Sequence, residues 1–254
     1  MSVIVILEWD FSPPNYFEEP IEISRQNYVM TIEAGKATAT INYATFNNNP
    51  SLREELHESL NNRLLGVQLF SHVPYELSSS KIFHIHPDGR KDIFIELSSV
   101  SCVMFAGSLD TLHTDKDGNI ISDSKRDRIE KKRSLSELVI THKPNDPLVA
   151  ALLSSYQTAV SDPNNELVHL YEIRDALSKK FGNEGKARKN LTITSSQWSR
   201  LGQLCNDEPL KQGRHRGKAI GTLRDASESE LVEARKISLT MIEAYLQYLE
   251  DLKT

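Results

Sequence analysis

The chain has 254 residues, 39% hydrophobic and 26% charged, which is enough for two domains of ordinary size, each with its own core. Its 30 Lys and Arg stand against 35 Asp and Glu, a formal net charge of −5. No apolar run approaches the roughly 18 to 20 residues that span a bilayer, and Val3–Leu7 is too short and lacks the basic flank of a signal peptide, so no membrane association and a cytoplasmic location are expected.

From Met1 to about His142 the pattern is mostly of period two. Val3 to Trp9, Asn27 to Glu33, Lys36 to Tyr43, Ser80 to His86 and Asp92 to Leu97 alternate or run apolar with β-branched enrichment, and predict strands. Ala34-Gly35, Asp88-Gly89 and Asp117-Gly118-Asn119 have the chemistry of hairpin turns, where Gly or Asn takes positive φ. Between Pro50 and Phe70, Leu52, Leu56, Leu60 and Leu64 recur at i+4 and predict one amphipathic helix packed on the sheet. The highly charged run from Ser124 to Ser134 reads as an exposed loop or a short helix. Pro144 and Pro147 then mark a boundary. The expected organisation is a β-rich α+β domain over 1–142, with a sensing or positioning role and a protein partner of its own, and an all-α bundle of four to five helices over 143–254.

The helices of the second half have readable caps. Asp146-Pro147 opens one through about Val160, and Asp162-Pro163 opens another that ends near Phe181-Gly182. A third covers roughly Ser195 to Asn206. The last begins at Ser227, where Ser and Glu230 form a capping box. Along it Leu231, Ala234, Ser238, Met241, Tyr245, Tyr248 and Leu252 keep a three-four spacing, longer than a single small bundle needs, and predict a symmetric homodimer through this domain.

Charge singles out one region of that bundle. Between Arg174 and Arg224 there are twelve Lys and Arg against four Asp and Glu, while the rest of the chain is strongly acidic. Clustered cations attract polyanions at a range where interspersed charges cancel, so a phosphate-bearing polyanion such as RNA is the expected partner, with Lys186, Arg188, Lys189, Lys211, Lys218 and Arg224 as its contacts. Within the window, Lys211-Gln-Gly-Arg-His-Arg-Gly-Lys218 holds the one Arg-His-Arg triplet in the sequence. The His215 imidazole titrates near neutral pH and can take a proton from a ribose 2′-hydroxyl, and Arg214 or Arg216 can hold the phosphate. Gly213 and Gly217 would let backbone approach a ligand closely. Arg174 falls in line with Leu167, Leu170, Leu177 and Phe181, where a guanidinium either meets an anion or lays its stem along the stripe and sends its head to water.

Other chemistry is poorly represented. There is no Gly-x-Gly-x-x-Gly, no phosphate-binding Gly-Lys-Ser/Thr loop and no nucleophile elbow, which removes most nucleotide-dependent enzymes and α/β hydrolases. His84 and His86 share a strand face, but the spacing of His57, His72 and His113 supplies no further ligands, and a solvated sheet face is the simpler reading. Asp115-Lys-Asp-Gly-Asn119 has Gly at the wrong place for a calcium loop and reads as a turn. Cys102 and Cys205 form neither a disulfide framework nor a zinc set, and read as small buried residues. No cofactor and no metal are expected.

The motifs Glu166-Leu-Val-His-Leu-Tyr-Glu-Ile-Arg-Asp-Ala-Leu177, Trp198-Ser-Arg-Leu201, Asn206-Asp207 and Arg214-His215-Arg216-Gly217, with the long final helix, resemble helical domains of the HEPN superfamily over about residues 163 to 252. Uncharacterised bacterial proteins of the methylamine-utilisation accessory type are similar. The resemblance implies a helical bundle that dimerises and, in active members, a metal-independent endoribonuclease of antiviral defence or toxin systems, with paired Arg and His at the dimer interface. Active members carry an Arg a short distance ahead of the His. The corresponding positions here are Glu208, Pro209 and Leu210, so His215 matches, its usual Arg does not, and Arg214, Arg216 or Arg174 would have to substitute. The alternative is a degenerate, non-catalytic module that binds an acidic protein.

Overall fold

The computed structural model describes residues 3–94, 110–114, 119–214 and 221–253. It is α+β, with an antiparallel sheet in the N-terminal region and helices after it. Two compact units result, Met1–Val67 with Tyr75–Ser134, and Gln68–Pro74 with Leu135–Thr254. The division falls inside a helix, eight residues ahead of the expected boundary. The two prolines separate consecutive helices of the second unit instead.

In the first unit the strands β1 (Ile4–Ser12), β2 (Ile21–Ser24), β3 (Tyr28–Glu33), β4 (Lys36–Asn42), β6 (Lys81–Ile85) and β7 (Lys91–Phe94) are ordered β2-β3-β4-β1-β6-β7, and β5 (Glu76–Leu77) pairs with the end of β1. Val5, Leu7 and Trp9 lie opposite Ile41, Ala39 and Ala37. Met30 and Ile32 continue the row. Directly opposed residues share a face, so these side chains make one apolar surface, and all are buried. Helix α1 (Tyr43–Asn48) follows β4, and α2 (Leu52–Ser71) adds buried Leu52, Leu56, Leu60 and Leu64, as its spacing predicts. The Arg53 Nε–H donates to Ser80 Oγ at 2.7 Å, fixing α2 to the start of β6. The β3–β4 turn uses positive φ at Ala34 and Gly35, and a side chain on Gly35 would strike Pro14, so only glycine fits there.

A short ribbon, β8 (Leu112–Thr114) and β9 (Ile120–Asp123), leads into α3 (Ser124–His142). The charged run expected as a loop or short helix is therefore the first half of a helix of 19 residues. The Asp123 carboxylate accepts from the Lys125 and Arg126 amides, Arg126 pairs with Glu130 one turn on, and Ile129, Leu135 and Val139 are buried. Arg128 and Lys132, also one turn apart, converge on Glu18 and hold its carboxyl down to about 2.

The second unit holds α4 (Pro147–Ser161), a 3-10 turn (Pro163–Asn165), α5 (Glu166–Phe181), α6 (Glu184–Leu191), α7 (Ser195–Gly202) and α8 (Glu228–Asp251). Asp146 and Ser227 cap α4 and α8 as read, and Ser227 and Glu230 complete the capping box. Asp162 does not cap α5, since its carboxylate is taken by the Asn165 amide. Nor does α7 run regularly to Asn206: after Gly202 it loosens into a π-turn over Gln203–Asp207. On α8, Ala234, Ser238, Met241 and Tyr245 of the expected stripe are buried within the unit, and Leu252 is exposed.

An ion pair joins a buried carboxylate of this core to the partly exposed Arg235, which also reaches Glu228 at the surface. Glu166, 1% exposed, accepts from Arg235 Nε and Nη2 at 2.6 and 2.8 Å. His72 Nε2 lies 3.4 Å from the same carboxylate, and its ring packs edge-on against Tyr156. Burial, with Arg235 close by, holds the His72 imidazole down to about 4, so it is neutral at physiological pH.

Candidate nucleic-acid interface

The cationic window breaks into two kinds of residue. Arg200, Lys211 and Arg224 pair with Glu233, Asp225 and Glu230, three acids lying just beyond the window in sequence. The Arg224 guanidinium forks onto Glu230 at 2.6 and 2.7 Å, which holds that carboxyl down to about 2. Lys211 and Arg224, expected as RNA contacts, are thus already paired within the chain. Arg188 lies 3.4 Å from Glu184.

Lys186 and Lys189 are different. Both are exposed, three residues apart on α6, while Ala187 and Leu191 point into the core. Among the described residues no carboxylate pairs with them, nor with Lys180 in the last turn of α5.

Arg174 and Arg214, forty residues apart in sequence, meet at one aromatic ring. The Arg174 guanidinium lies 5.2 Å from the centre of the Tyr171 ring and 5.4 Å from that of Trp198. Its side chain is 18% exposed and sits 3.6 Å from Glu184, so it is neither deeply buried nor a freely solvated edge residue. Space for it comes from Gly202, because a side chain there would run into the guanidinium. Arg214 approaches the same Tyr171 ring at 4.9 Å. It is exposed, and no described carboxylate pairs with it.

The backbone around Arg214 explains its position. In the π-turn, Glu208 donates its amide to Gln203, and the Cys205 carbonyl accepts from the Arg214 amide at 2.7 Å. The Lys211 amide donates to the Arg224 carbonyl, and the Arg224 amide to Pro209. Gly213 is buried, and a side chain there would crowd the Leu210 and Cys205 carbonyls, so the chain's own packing favours glycine at this position. Cys205 is buried as expected, and burial pushes its thiol well above the usual range. The anchored loop carries Arg214 to the ring and leads directly into His215.

His215, Arg216, Gly217 and Lys218 lie outside the described residues, as do Leu97, Cys102 and residues 115–118 of the turn that resembled a calcium loop. Of the residues expected to act together, Arg174 and Arg214 are brought together. Tyr171 and Trp198 organise them, and in the sequence these two stand out only as members of the motifs Glu166–Leu177 and Trp198–Leu201. His84 lies between Tyr43 and Phe94, whereas His86, one residue beyond β6, bonds Asp92 at 2.8 Å. Their side chains are therefore engaged by separate partners. Among the described residues there is no group of three or more His, Cys, Asp or Glu that could hold a metal ion, and no helix long and apolar enough to cross a membrane. No protein-family model, no curated protein and no solved structure matches this chain.

Proposed function

We propose that the helical unit is a HEPN-like RNA-binding module, cytoplasmic and homodimeric, that grips phosphate through Arg174 and Arg214, with Lys180, Lys186 and Lys189 adding long-range attraction. The observation that carries this reading is the convergence of two guanidinium groups on Tyr171. Among the described residues only Glu184 offsets them, which leaves a local excess of positive charge. A guanidinium without a carboxylate is a ready fork for phosphate oxygens. A second reading, cleavage with His215 as general base, rests on its adjacency to Arg214 in sequence.

The neutralised trio Arg200, Lys211 and Arg224 narrows the interface. Fewer phosphates are contacted than the twelve cations of the window alone imply, so the salt dependence should be moderate. We expect a short RNA to bind at 50 mM salt and to weaken toward 200 mM, log affinity falling with log salt by roughly 0.7 per phosphate contacted on a single strand. A fluorescence-anisotropy titration measures this. No binding at the low-salt end rejects the proposal and leaves a protein-binding module.

A further inference from the structure

We infer that Tyr171 is a stacking platform for one unpaired base, covered in the free protein by Arg214. The inference rests on the RNA-binding reading and narrows its substrate class to single strands.

Arg214 is held to the ring only by its exposed side chain, since its sole described polar anchor is the backbone bond to Cys205. A cation over an aromatic face at an exposed site is worth about a 2- to 5-fold preference. A base on the same face is worth about 5- to 150-fold. The base therefore wins the ring. The displaced guanidinium does not lose by moving, because the phosphate next to that base offers it a charged, forked acceptor that the ring cannot. Arg174 does not take part in this exchange. It is bounded by Trp198, Gly202 and Glu184 and keeps its own contact with Tyr171, so one cation leaves while the other remains. The anchored backbone at Arg214 means that only side-chain rotation is needed. A duplex buries its base faces in its own stack and cannot make the exchange.

The test compares a short single-stranded RNA with the same sequence in a blunt duplex, on the full chain at one salt concentration, for wild type, Tyr171→Phe and Tyr171→Leu. Wild type should prefer the single strand. Tyr171→Phe should retain that preference, and Tyr171→Leu should abolish it, losing about 5- to 150-fold on the single strand and less on the duplex. A 2-aminopurine in the RNA should be quenched by wild type and Tyr171→Phe, which reports stacking even if the leucine variant folds poorly. Equal binding of both RNAs without quenching overturns the inference while the RNA-binding reading stands. Binding of neither RNA by wild type overturns both.

Discussion

Arg235→Met destabilises the helical unit by about 3 to 5 kcal/mol. Glu166 is 1% exposed and its charge is compensated by the Arg235 fork. Without Arg235 the carboxylate is left in the core without its counter-charge. Glu166→Gln removes the charge instead of stranding it and keeps an acceptor, so it costs less, about 1 to 2 kcal/mol. Urea unfolding followed by Trp198 fluorescence in a Trp9→Phe background measures both. Equal losses would show that the Glu166 charge is not what the Arg235 fork compensates.

Under the catalytic reading, His215→Ala lowers RNA cleavage by on the order of 10²- to 10⁴-fold, the usual contribution of a general base. The imidazole removes the proton of a ribose 2′-hydroxyl, the oxygen attacks the adjacent phosphorus, and the bond to the 5′-oxygen breaks, that oxygen taking a proton from water while the imidazolium returns its own to solvent. The products are a 2′,3′-cyclic phosphate and a 5′-hydroxyl. Arg214 and Arg174 hold the phosphate oxygens while their charge rises. The assay uses a structured RNA and a tRNA pool in EDTA, with the product ends identified. Activity that survives the substitution, or that disappears with chelator, assigns the chemistry elsewhere. An inactive wild type that still binds RNA keeps the binding proposal and removes the catalytic one.

Local signals in the sequence were the reliable ones. The cap at Asp146, the capping box at Ser227, the leucine row of α2 and the Ala34-Gly35 turn each depend on neighbours within a few positions, and each is present in the structure. The short elements escaped notice: β2 has four residues, and α6 has eight with a glycine and four charges among them, too few to establish a period. Helix α3 was hidden because its charges look solvated, although Arg128 and Lys132 are spent on Glu18. The charge window misled for the same reason. A count along the chain cannot see Asp225, Glu230 and Glu233 folding back on its cations. The meeting of Arg174 with Arg214 depends on the π-turn that frees the Cys205 carbonyl, a tertiary feature with no signature at either arginine.

The most direct measurement is the salt dependence of RNA affinity for wild type and for Arg174→Met/Arg214→Met, with circular dichroism confirming that the double variant is folded. If the two guanidinium groups at Tyr171 grip phosphate, affinity falls by at least about tenfold and the salt slope becomes shallower by roughly 0.7 to 1.4, up to one contact for each arginine. An RNA affinity and slope that match wild type would contradict the proposal, and would place any RNA binding on a different surface of the protein.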